Sequence, residues 1–402
     1  MNVLVVGSGA REHALAWRLA QSPRLTELHA APGNPGIAAL GRCHPVRAED
    51  GDGLLALALT LEIDLAVIGP EAPLVAGVAD VLRQNGVAVF GPGADAAQIE
   101  GSKMFAKDVL RAAGVRTAET LAVARPPCVV KANGLASGKG VFVCRTAAEL
   151  DAALPAVEAL GQGVVIEELL EGPEVSVFAL SDGRRVVPIG AAQDFKRVAD
   201  GDAGPNTGGM GAYSPVPGID TNELVAEIHA PVLEELARRG APFVGCLFAG
   251  LMITESGPYV LEFNARFGDP ETQVLMPRIE GDLLGALSAA ARGDLSSTSD
   301  VGLAPRSAVT VVLAAPDYPA RSDYRGAPID GLEAAAATGA IVFHGGTAAR
   351  DGRVVTNGGR ILSVTSTADT VAAARAGTYD AVHLLSFEGV KYRSDIAMGV
   401  DG

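Results

Sequence analysis

Apolar runs alternate with helix-period segments along the first hundred residues. The runs 2–6, 63–68 and 87–90 are short and rich in Val, Leu and Ile, which predicts strands. Helical spacing predicts helices after the turn 7–13 and over 73–84. Because strands that alternate with helices usually form a parallel sheet, this part is expected to be a parallel α/β layer.

The pattern changes after a predicted helix over 96–113. Two apolar runs, 128–132 and 141–144, flank a glycine-rich turn and predict a hairpin, and Thr146 opens a further helix with capping-box spacing. Three more strands are predicted at 164–169, 174–180 and 185–189. Their short connections favour an antiparallel sheet, so 121–190 are expected to form a small α+β module.

A segment rich in Gly, Pro, Asp and Asn follows at 191–218 and is predicted to be a long functional loop. A helix is expected over 221–239, and two strands over 243–254 and 259–264. The remainder, from about 304, is predicted to be mostly β-structure.

Composition narrows the classes of function. Of the 402 residues, 47 are acidic and 32 are Lys or Arg, a net charge of −15, which disfavours binding to nucleic acid or to an anionic membrane. The four cysteines form no CxxC pair, and no apolar run approaches the length of a bilayer span. A cytoplasmic protein is expected.

The lysines are few and clustered. Five of the six, Lys103, Lys107, Lys131, Lys139 and Lys196, fall in one stretch of the chain. A chain that uses Arg elsewhere is expected to keep Lys where a compact point charge is needed, although chance clustering gives the same pattern.

The first glycine turn has three interpretations. Gly7-x-Gly9 after a strand suits a phosphate at a helix N-terminus, helped by Arg11, but Glu12 replaces the third glycine of a dinucleotide motif. A phosphate of a smaller substrate therefore fits better than a nicotinamide cofactor, and a tight turn without a ligand stays possible.

A glycine- and lysine-rich turn lies at 131–140. Lys131, Gly138 and Lys139 occur there, but the spacing is one residue short of a Walker A loop and Gly140 replaces its Ser/Thr. A glycine-rich hairpin tip brings backbone amides close to a polyphosphate while lysines neutralise its charge. The alternative is a flexible turn.

Carboxylates follow at two further places. Glu168 and Glu174 flank a strand end and suit an adenine edge and ribose hydroxyls, or are simply a charged strand end. Glu262 and Asn264 alternate on one predicted strand and so share a face, where their oxygens suit Mg²⁺ or Mn²⁺ that bridges phosphates. A polar outer strand face is the alternative.

No hydrolase nucleophile motif and no histidine metal motif occurs in the sequence. Phosphoryl transfer with a divalent cation is the chemistry that remains.

Several longer strings now point to one family. The chain resembles the phosphoribosylamine–glycine ligases of the ATP-grasp superfamily in GSGAREHALAW, APGNPG, VVKANGLASGKGV, EELLEGPEVS, NTGGMGAYSP and LEFNARFGDPETQ. Asn133 and Phe195 depart from the strings of the family, which have Asp and His there.

The resemblance implies an ATP-grasp fold of mixed α/β and α+β modules. It implies a pre-ATP-grasp parallel α/β domain over 1–100, a helical connection over 101–120 and a small lid domain over 121–190. A central domain with the metal site is implied over 191–303, and a β-rich C-terminal domain over 304–402.

The resemblance also implies the roles of single residues. It assigns Lys131 and Arg266 to catalysis, and Glu262 and Asn264 to Mg²⁺ or Mn²⁺. The residues implied to bind ATP are Lys103, Lys131, Gly138, Lys139, Glu168, Leu170 and Glu174. Those implied to face the substrates are Gly9, Arg11, Asn34, Glu71, Asp194, Lys196, Asn206, Gly208, Gly209 and Met210.

The implied reaction joins glycine to 5-phosphoribosylamine at the expense of ATP, through glycyl phosphate, in purine biosynthesis. The implied partners are small molecules, and a monomer or small homo-oligomer is expected. Another ATP-grasp ligase, a nucleotide-binding regulatory protein and a dinucleotide oxidoreductase are the alternatives.

Overall fold

The first module is a parallel sheet with helices between its strands. The computed structural model describes residues 1–136, 140–297 and 301–400. The elements of this module are β1 (Asn2–Gly7), α1 (Ala10–Leu19), β2 (Glu27–Pro32), α2 (Pro35–Ala38), β3 (Arg42–Cys43), α3 (Gly51–Thr60), β4 (Leu65–Ile68), α4 (Glu71–Val75), α5 (Val78–Gln84) and β5 (Ala88–Phe90). The strand order is β3-β2-β1-β4-β5 and all pairs are parallel, which confirms the predicted α/β layer.

Two segments that the sequence predicts as single helices are each broken in two. The helix expected over 73–84 is interrupted at Gly77, whose φ of +83° is left-handed and cannot continue a helix. The helix expected over 96–113 is α6 (Ala94–Gly101) and α7 (Lys103–Ala112), separated by extended Ser102. The Ser102 side chain accepts a hydrogen bond from the Phe105 amide and caps α7, so Lys103 lies in the first turn of a new helix.

A small three-stranded module follows. It consists of β6 (Cys128–Ala132), β7 (Val141–Cys144), α8 (Ala147–Glu158) and β8 (Val164–Glu168), with strand order β7-β6-β8. The hairpin and the capping box are confirmed: Thr146 and Glu149 exchange hydrogen bonds at the start of α8.

The rest of the chain builds one large antiparallel sheet and the elements around it. They are β9 (Glu174–Asp182), β10 (Val186–Asp194), β11 (Arg197–Ala199), β12 (Ala203–Asn206), β13 (Gly211–Ser214), α9 (Thr221–Leu224), α10 (Ala230–Arg238), β14 (Val244–Thr254), β15 (Gly257–Asn264), α11 (Glu271–Leu275), β16 (Ile279–Glu280), α12 (Leu283–Ala291), β17 (Gly302–Leu303), β18 (Ser307–Ala314), β19 (Tyr324–Pro328), α13 (Leu332–Ala337), β20 (Ile341–His344), β21 (Thr347–Arg350), β22 (Arg353–Gly358), β23 (Arg360–Ala368) and α14 (Val371–Val382). A π-helical turn, Val225–His229, joins α9 to α10.

Two predictions from the sequence, on the strands of the small module and on the loop 191–218, are wrong. Its order is β15-β14-β9-β10-β13-β18-β23-β20, so β9 and β10, which the sequence placed in the small module of 121–190, pair with central strands instead. The long loop expected over 191–218 contains the end of β10, the hairpin β11–β12 and β13.

The C-terminal part continues the same sheet. Strand β18 pairs with β13, and β23 and β20 follow it. A second small sheet, β19-β22-β21, and α14 complete this part, with Ala374 and Val382 of α14 in its buried core. Among the described residues, no helix is both long and apolar enough to cross a membrane.

Candidate active site

Two lysines share one buried carboxylate at the base of the small module. Lys131 Nζ lies 2.6 Å from Glu167 Oε2, and Lys107 Nζ lies 2.8 Å from Glu167 Oε1. All three side chains are buried, and Lys107 is supplied by α7. Buried charges are costly unless they are paired, so each ammonium group is held at the Glu167 carboxylate. The sequence analysis did not assign a role to Glu167, although it adjoins the predicted Glu168.

A bulge in β15 gives Lys131 a further partner. Gly250 pairs with Glu262 and Leu251 with Val260, so Leu261 is the extra residue. The carbonyl oxygen of Leu261 accepts a hydrogen bond of 3.2 Å from Lys131 Nζ. The bulge therefore connects the lysine of the small module to the strand that carries Glu262 and Asn264.

Lys103 lies beside this cluster. Its Nζ donates a 3.3 Å hydrogen bond to the carbonyl of Gly134, and its backbone amide donates to Asn133 O. Burial lowers the pKa of Lys103, and nearby Lys131 lowers it further while Glu262 opposes the change. The Asn133 side chain accepts a 2.9 Å hydrogen bond from the Met104 amide, so this residue joins α7 to the end of β6. Gly138 and Lys139 lie outside the described residues.

Arg266 connects the metal candidates to the first module. Its Nη2 donates to Asn264 Oδ1 at 2.9 Å and to Glu100 Oε1 at 3.0 Å, and its Nε lies 3.3 Å from Glu71 Oε2. Burial alone would raise the pKa of Glu71, but Arg266 and Arg11 lower it to about 2. Burial raises the pKa of Glu100 to about 7. Arg266 therefore lies among oxygen atoms of two modules.

Glu262 and Asn264 fit a divalent cation. They lie on one face of β15, half-buried and buried respectively, and a carboxylate beside a carboxamide oxygen is a donor set that Mg²⁺ and Mn²⁺ accept. Among the described residues, no hydrogen bond or salt bridge to the Glu262 carboxylate is present, while the Asn264 oxygen is shared with Arg266.

A salt-bridged lysine lies further along the large sheet. Lys196 Nζ contacts Glu174 Oε2 at 2.7 Å and Asp194 Oδ1 at 2.8 Å. Lys196 lowers the pKa of Glu174 more than burial raises it. Glu168 is predicted to contact the adenine, and its carboxylate accepts a 2.8 Å hydrogen bond from the Glu119 amide. Leu170 is half-buried and follows β8.

A cavity of about 250 Å³ lies where three parts of the chain meet. Its walls include Gly9 at the start of α1, Asp269, Tyr318, Gly345 and Arg360. Arg360 Nη2 is 2.9 Å from Asp269 Oδ2. Sequence reasoning missed Tyr318 and did not single out Arg360; the string VTNGGR at 355–360 was the only signal for the latter.

The other residues predicted in the first module are dispersed. Arg11 is buried and pairs with Glu12 at 2.6 Å, and its Nη1 reaches Glu71 Oε2 only at 4.0 Å. Asn34 caps α2 and donates to the carbonyl oxygens of Ser8 and His344, so its amide is used in structural contacts.

The predicted loop residues follow Lys196. Asn206 pairs with Arg197 in the hairpin, and the Gly208 amide donates to the Tyr318 hydroxyl at 2.9 Å. The Gly209 amide donates a hydrogen bond to Thr207 Oγ1. Met210 is fully buried, and its amide donates a hydrogen bond to the Phe195 carbonyl.

Comparison with known proteins defines first the class and then the family. The family model described as phosphoribosylglycinamide synthetase, ATP-grasp (A) domain, matches residues 101–272, so the central part has the ATP-grasp fold. The models for the N domain and the C domain of the same synthetase match residues 1–100 and 308–399. The chain belongs to the phosphoribosylglycinamide synthetase family, as the resemblance in the sequence implied.

Relatives match over the full length. The chain is 49% identical to the phosphoribosylamine–glycine ligase of Streptomyces coelicolor over 420 residues, with 100% of both chains covered. It is 49% identical to that of Brucella melitensis over 418 residues, covering 98% of this chain and 97% of the other. The crystal structure of phosphoribosylamine–glycine ligase from Thermotoga maritima matches with a TM-score of 0.84 and 34% identity, covering 99% of this chain and 100% of that one.

Proposed function

We propose that this chain ligates glycine to 5-phosphoribosylamine with ATP, giving glycinamide ribonucleotide, ADP and phosphate in purine biosynthesis. The observation that carries the proposal is the identity of 49% to curated phosphoribosylamine–glycine ligases over the full length of the chain. The N, ATP-grasp and C models of one synthetase match in order, which supports the same reaction.

ATP is assigned to the cleft between the small module and β15. Lys103 and Lys131 would neutralise its phosphates, because both ammonium groups lie at the base of the glycine-rich hairpin. The proposed contacts to the adenine and the ribose are Glu168, the Leu170 backbone and Glu174. Gly138 and Lys139 keep their proposed role at the phosphates on sequence grounds alone.

Glu262 and Asn264 would hold the divalent cation. Bound there, a cation supplies positive charge to the phosphate oxygens during transfer. Arg266 is proposed to fix the Asn264 oxygen and, with Lys131, to stabilise the negative charge of the reacting groups.

The amine substrate is assigned to the cavity beside the start of α1. The N-terminus of α1 at Gly9 and the Arg360 guanidinium both favour an anion there, which suits the 5-phosphate. Asp194, Lys196 and the segment from Asn206 to Met210 are proposed to face the reacting ends of the substrates.

The chemistry needs no covalent bond to the enzyme. A glycine carboxylate oxygen attacks the γ-phosphorus of ATP and ADP leaves, which forms glycyl phosphate. The phosphoribosylamine nitrogen then attacks the acyl carbon, the carbon–oxygen bond to phosphate breaks, and the nitrogen loses a proton. Catalysis comes from positioning, charge stabilisation and exclusion of water from the acyl phosphate.

A cytoplasmic location, small molecules as the only partners, and a monomer or small homo-oligomer belong to the same proposal.

The test is product formation by the purified chain with ATP, Mg²⁺, glycine and phosphoribosylamine. We expect one ADP and one phosphate for each glycinamide ribonucleotide, and no amide when glycine is replaced by other amino acids or by bicarbonate. An amide formed only from a different carboxylate would assign the chain to another ATP-grasp reaction.

A further inference from the structure

A short segment near the C-terminus, residues 393–396, is held on two sides; we call it the C-terminal strap. On one side it is bound to α14. The Tyr379 hydroxyl donates to the carbonyl of Arg393 at 2.7 Å, and Arg375 Nε donates to that of Ile396 at 2.9 Å. The strap is therefore a fixed part of the C-terminal core.

Its other side holds the tip of the hairpin β11–β12. Arg393 Nη1 lies 2.7 Å from Asp202 Oδ1 and donates to the carbonyl of Arg197 at 3.1 Å. The Ser394 amide donates to Asp200 Oδ1 at 2.8 Å, and Asp395 Oδ2 accepts the Gly201 amide at 2.8 Å. Side chains and backbone of the strap thus bind three successive residues of the tip.

Arg393 is the centre of these contacts. Its side chain is only 2% exposed, and Asp395 binds it through both oxygens, at 2.7 and 2.8 Å. Its guanidinium also lies 5.0 Å from the ring centroid of Phe195, the residue before Lys196. Because a planar guanidinium makes all these contacts at once, Lys cannot replace it fully.

The other end of the hairpin is held by the same part of the chain. The Tyr318 hydroxyl accepts the Gly208 amide at 2.9 Å, and Arg360 donates to the Gly208 carbonyl. A two-stranded ribbon of three and four residues is not stable on its own, so its order depends on these contacts.

Lys196 lies between the two attachments. It starts the hairpin, and its carbonyl accepts hydrogen bonds from both the amide and the hydroxyl of Thr207. Arg393 contacts the residues on both sides of Lys196, through the Phe195 ring and the Arg197 carbonyl, so loss of these contacts would move the Lys196 ammonium relative to Glu174 and Asp194.

We propose that Arg393, with Ser394 and Asp395, is a positioning residue that keeps the hairpin closed and Lys196 in place while the acyl phosphate exists. The inference rests on the proposed function. Water that enters when the hairpin opens hydrolyses the acyl phosphate, so ATP is spent without formation of the amide.

The test measures the ratio of ADP to glycinamide ribonucleotide in Arg393→Lys and Asp202→Asn. We expect the ratio to rise from one to about two or more, with kcat/KM for phosphoribosylamine lowered about tenfold and ATP affinity within about twofold of the parent chain. Asp202 is exposed at the tip, so Asp202→Asn tests the contact even if Arg393→Lys does not fold. Asp202→Glu should recover part of the coupling.

Arg353→Lys is the matched control, because Arg353 also pairs with an aspartate of the C-terminal part, Asp330, at 2.8 Å. Its ratio should stay at one. A ratio of one and an unchanged kcat/KM for phosphoribosylamine in folded Arg393→Lys or Asp202→Asn would overturn the inference. Absence of amide product with the parent chain would instead overturn the proposed function.

Discussion

The proposed nucleotide side and the C-terminal side of the candidate site differ in how far apart most of their contacting residues lie along the chain. Lys103 binds Gly134 across 31 residues, and Lys131 forms a salt bridge with Glu167 of the neighbouring strand in one small sheet. On the C-terminal side, Gly208 binds Tyr318 across 110 residues and Arg393 binds Asp202 across 191. Apart from the 130-residue contact between Lys131 and Leu261, the first side consists of charges that lie close together along the chain, whereas the second consists of contacts between distant residues that order a hairpin and a cavity.

Loss of the carboxylate of Glu262, the proposed metal ligand, tests the nucleotide side most strongly. We expect Glu262→Ala to lower ADP formation at least about 100-fold, because the cation loses one of two proposed protein oxygens. The melting temperature should stay close to that of the parent chain, since the carboxylate makes no salt bridge among the described residues. Glu255→Ala, at the exposed turn of the same hairpin, is the control. Activity near the parent level in Glu262→Ala would remove the metal assignment.

Replacement of Lys131 separates phosphate binding from structure on the same side. We expect Lys131→Met to weaken ATP binding about 30-fold, or about 2 kcal/mol, as measured by calorimetry. The thermal stability of Lys131→Met should stay close to that of the parent chain, because Glu167 keeps Lys107 as its partner. The double variant Lys131→Met/Glu167→Gln should lose thermal stability, because Lys107 is then buried without a carboxylate partner, and it should not regain ATP affinity. Lys391→Met, at an exposed lysine of the C-terminal part, is the control. Equal ATP affinity in Lys131→Met and the parent chain would contradict the lysine assignment.

The dependence of stability on acid pH tests the C-terminal side, where His13 of α1 contacts His344 of β20. His13 Nδ1 accepts the His344 amide at 2.8 Å, and burial, with a smaller contribution from His344, lowers the pKa of His13 from 6.5 to about 3. Between these two pKa values, His13 is protonated in the unfolded chain but stays neutral in the folded chain. The contribution of His13 to stability is nearly complete above about pH 7 and is lost as the pH falls through 6.5, with a loss of about 1.4 kcal/mol at pH 5.5. Burial also lowers the pKa of His344 to about 4, so His344 adds a loss of its own over the same interval.

Denaturant unfolding at pH 7 and 5.5 measures this slope. His13→Gln, whose side-chain oxygen can still accept the amide, should lose about 1.4 kcal/mol less than the parent chain over that interval. His383→Gln, at an exposed histidine, should keep the parent slope. An unchanged slope in His13→Gln would show that this contact does not carry the acid sensitivity.

The distance along the chain between contacting residues also explains what could be predicted from the sequence. Strands and helices of the first module follow from local periodicity, and the alternation of Glu262 and Asn264 follows from strand geometry. Breaks at Gly77 and Ser102 were missed because both lie inside continuous helical spacing. The membership of β9 and β10 in the large sheet was missed because pairing with β14 depends on distant residues.

In the candidate site, the sequence analysis singled out Lys107 and Lys131 but not the carboxylate between them. Glu167 adjoins Glu168, and only the fold shows which of the two points towards Lys107 and Lys131. The Leu261 carbonyl could not be predicted, because a bulge in the middle of an apolar strand leaves no pattern in the residue types. Tyr318 and Arg393 have partners more than 100 residues away, so no local motif includes both sides of the contact.

The pairing of β13 with β18 joins the ATP-grasp part and the C-terminal part in a single sheet. Deletion of residues 307–400 would therefore not release a separate domain; it would leave β13 with an unpaired edge of backbone amides and carbonyls. Such an edge is a template for association with other chains. A shortened protein of this kind should aggregate, and supplying the missing fragment in trans should compete with that aggregation.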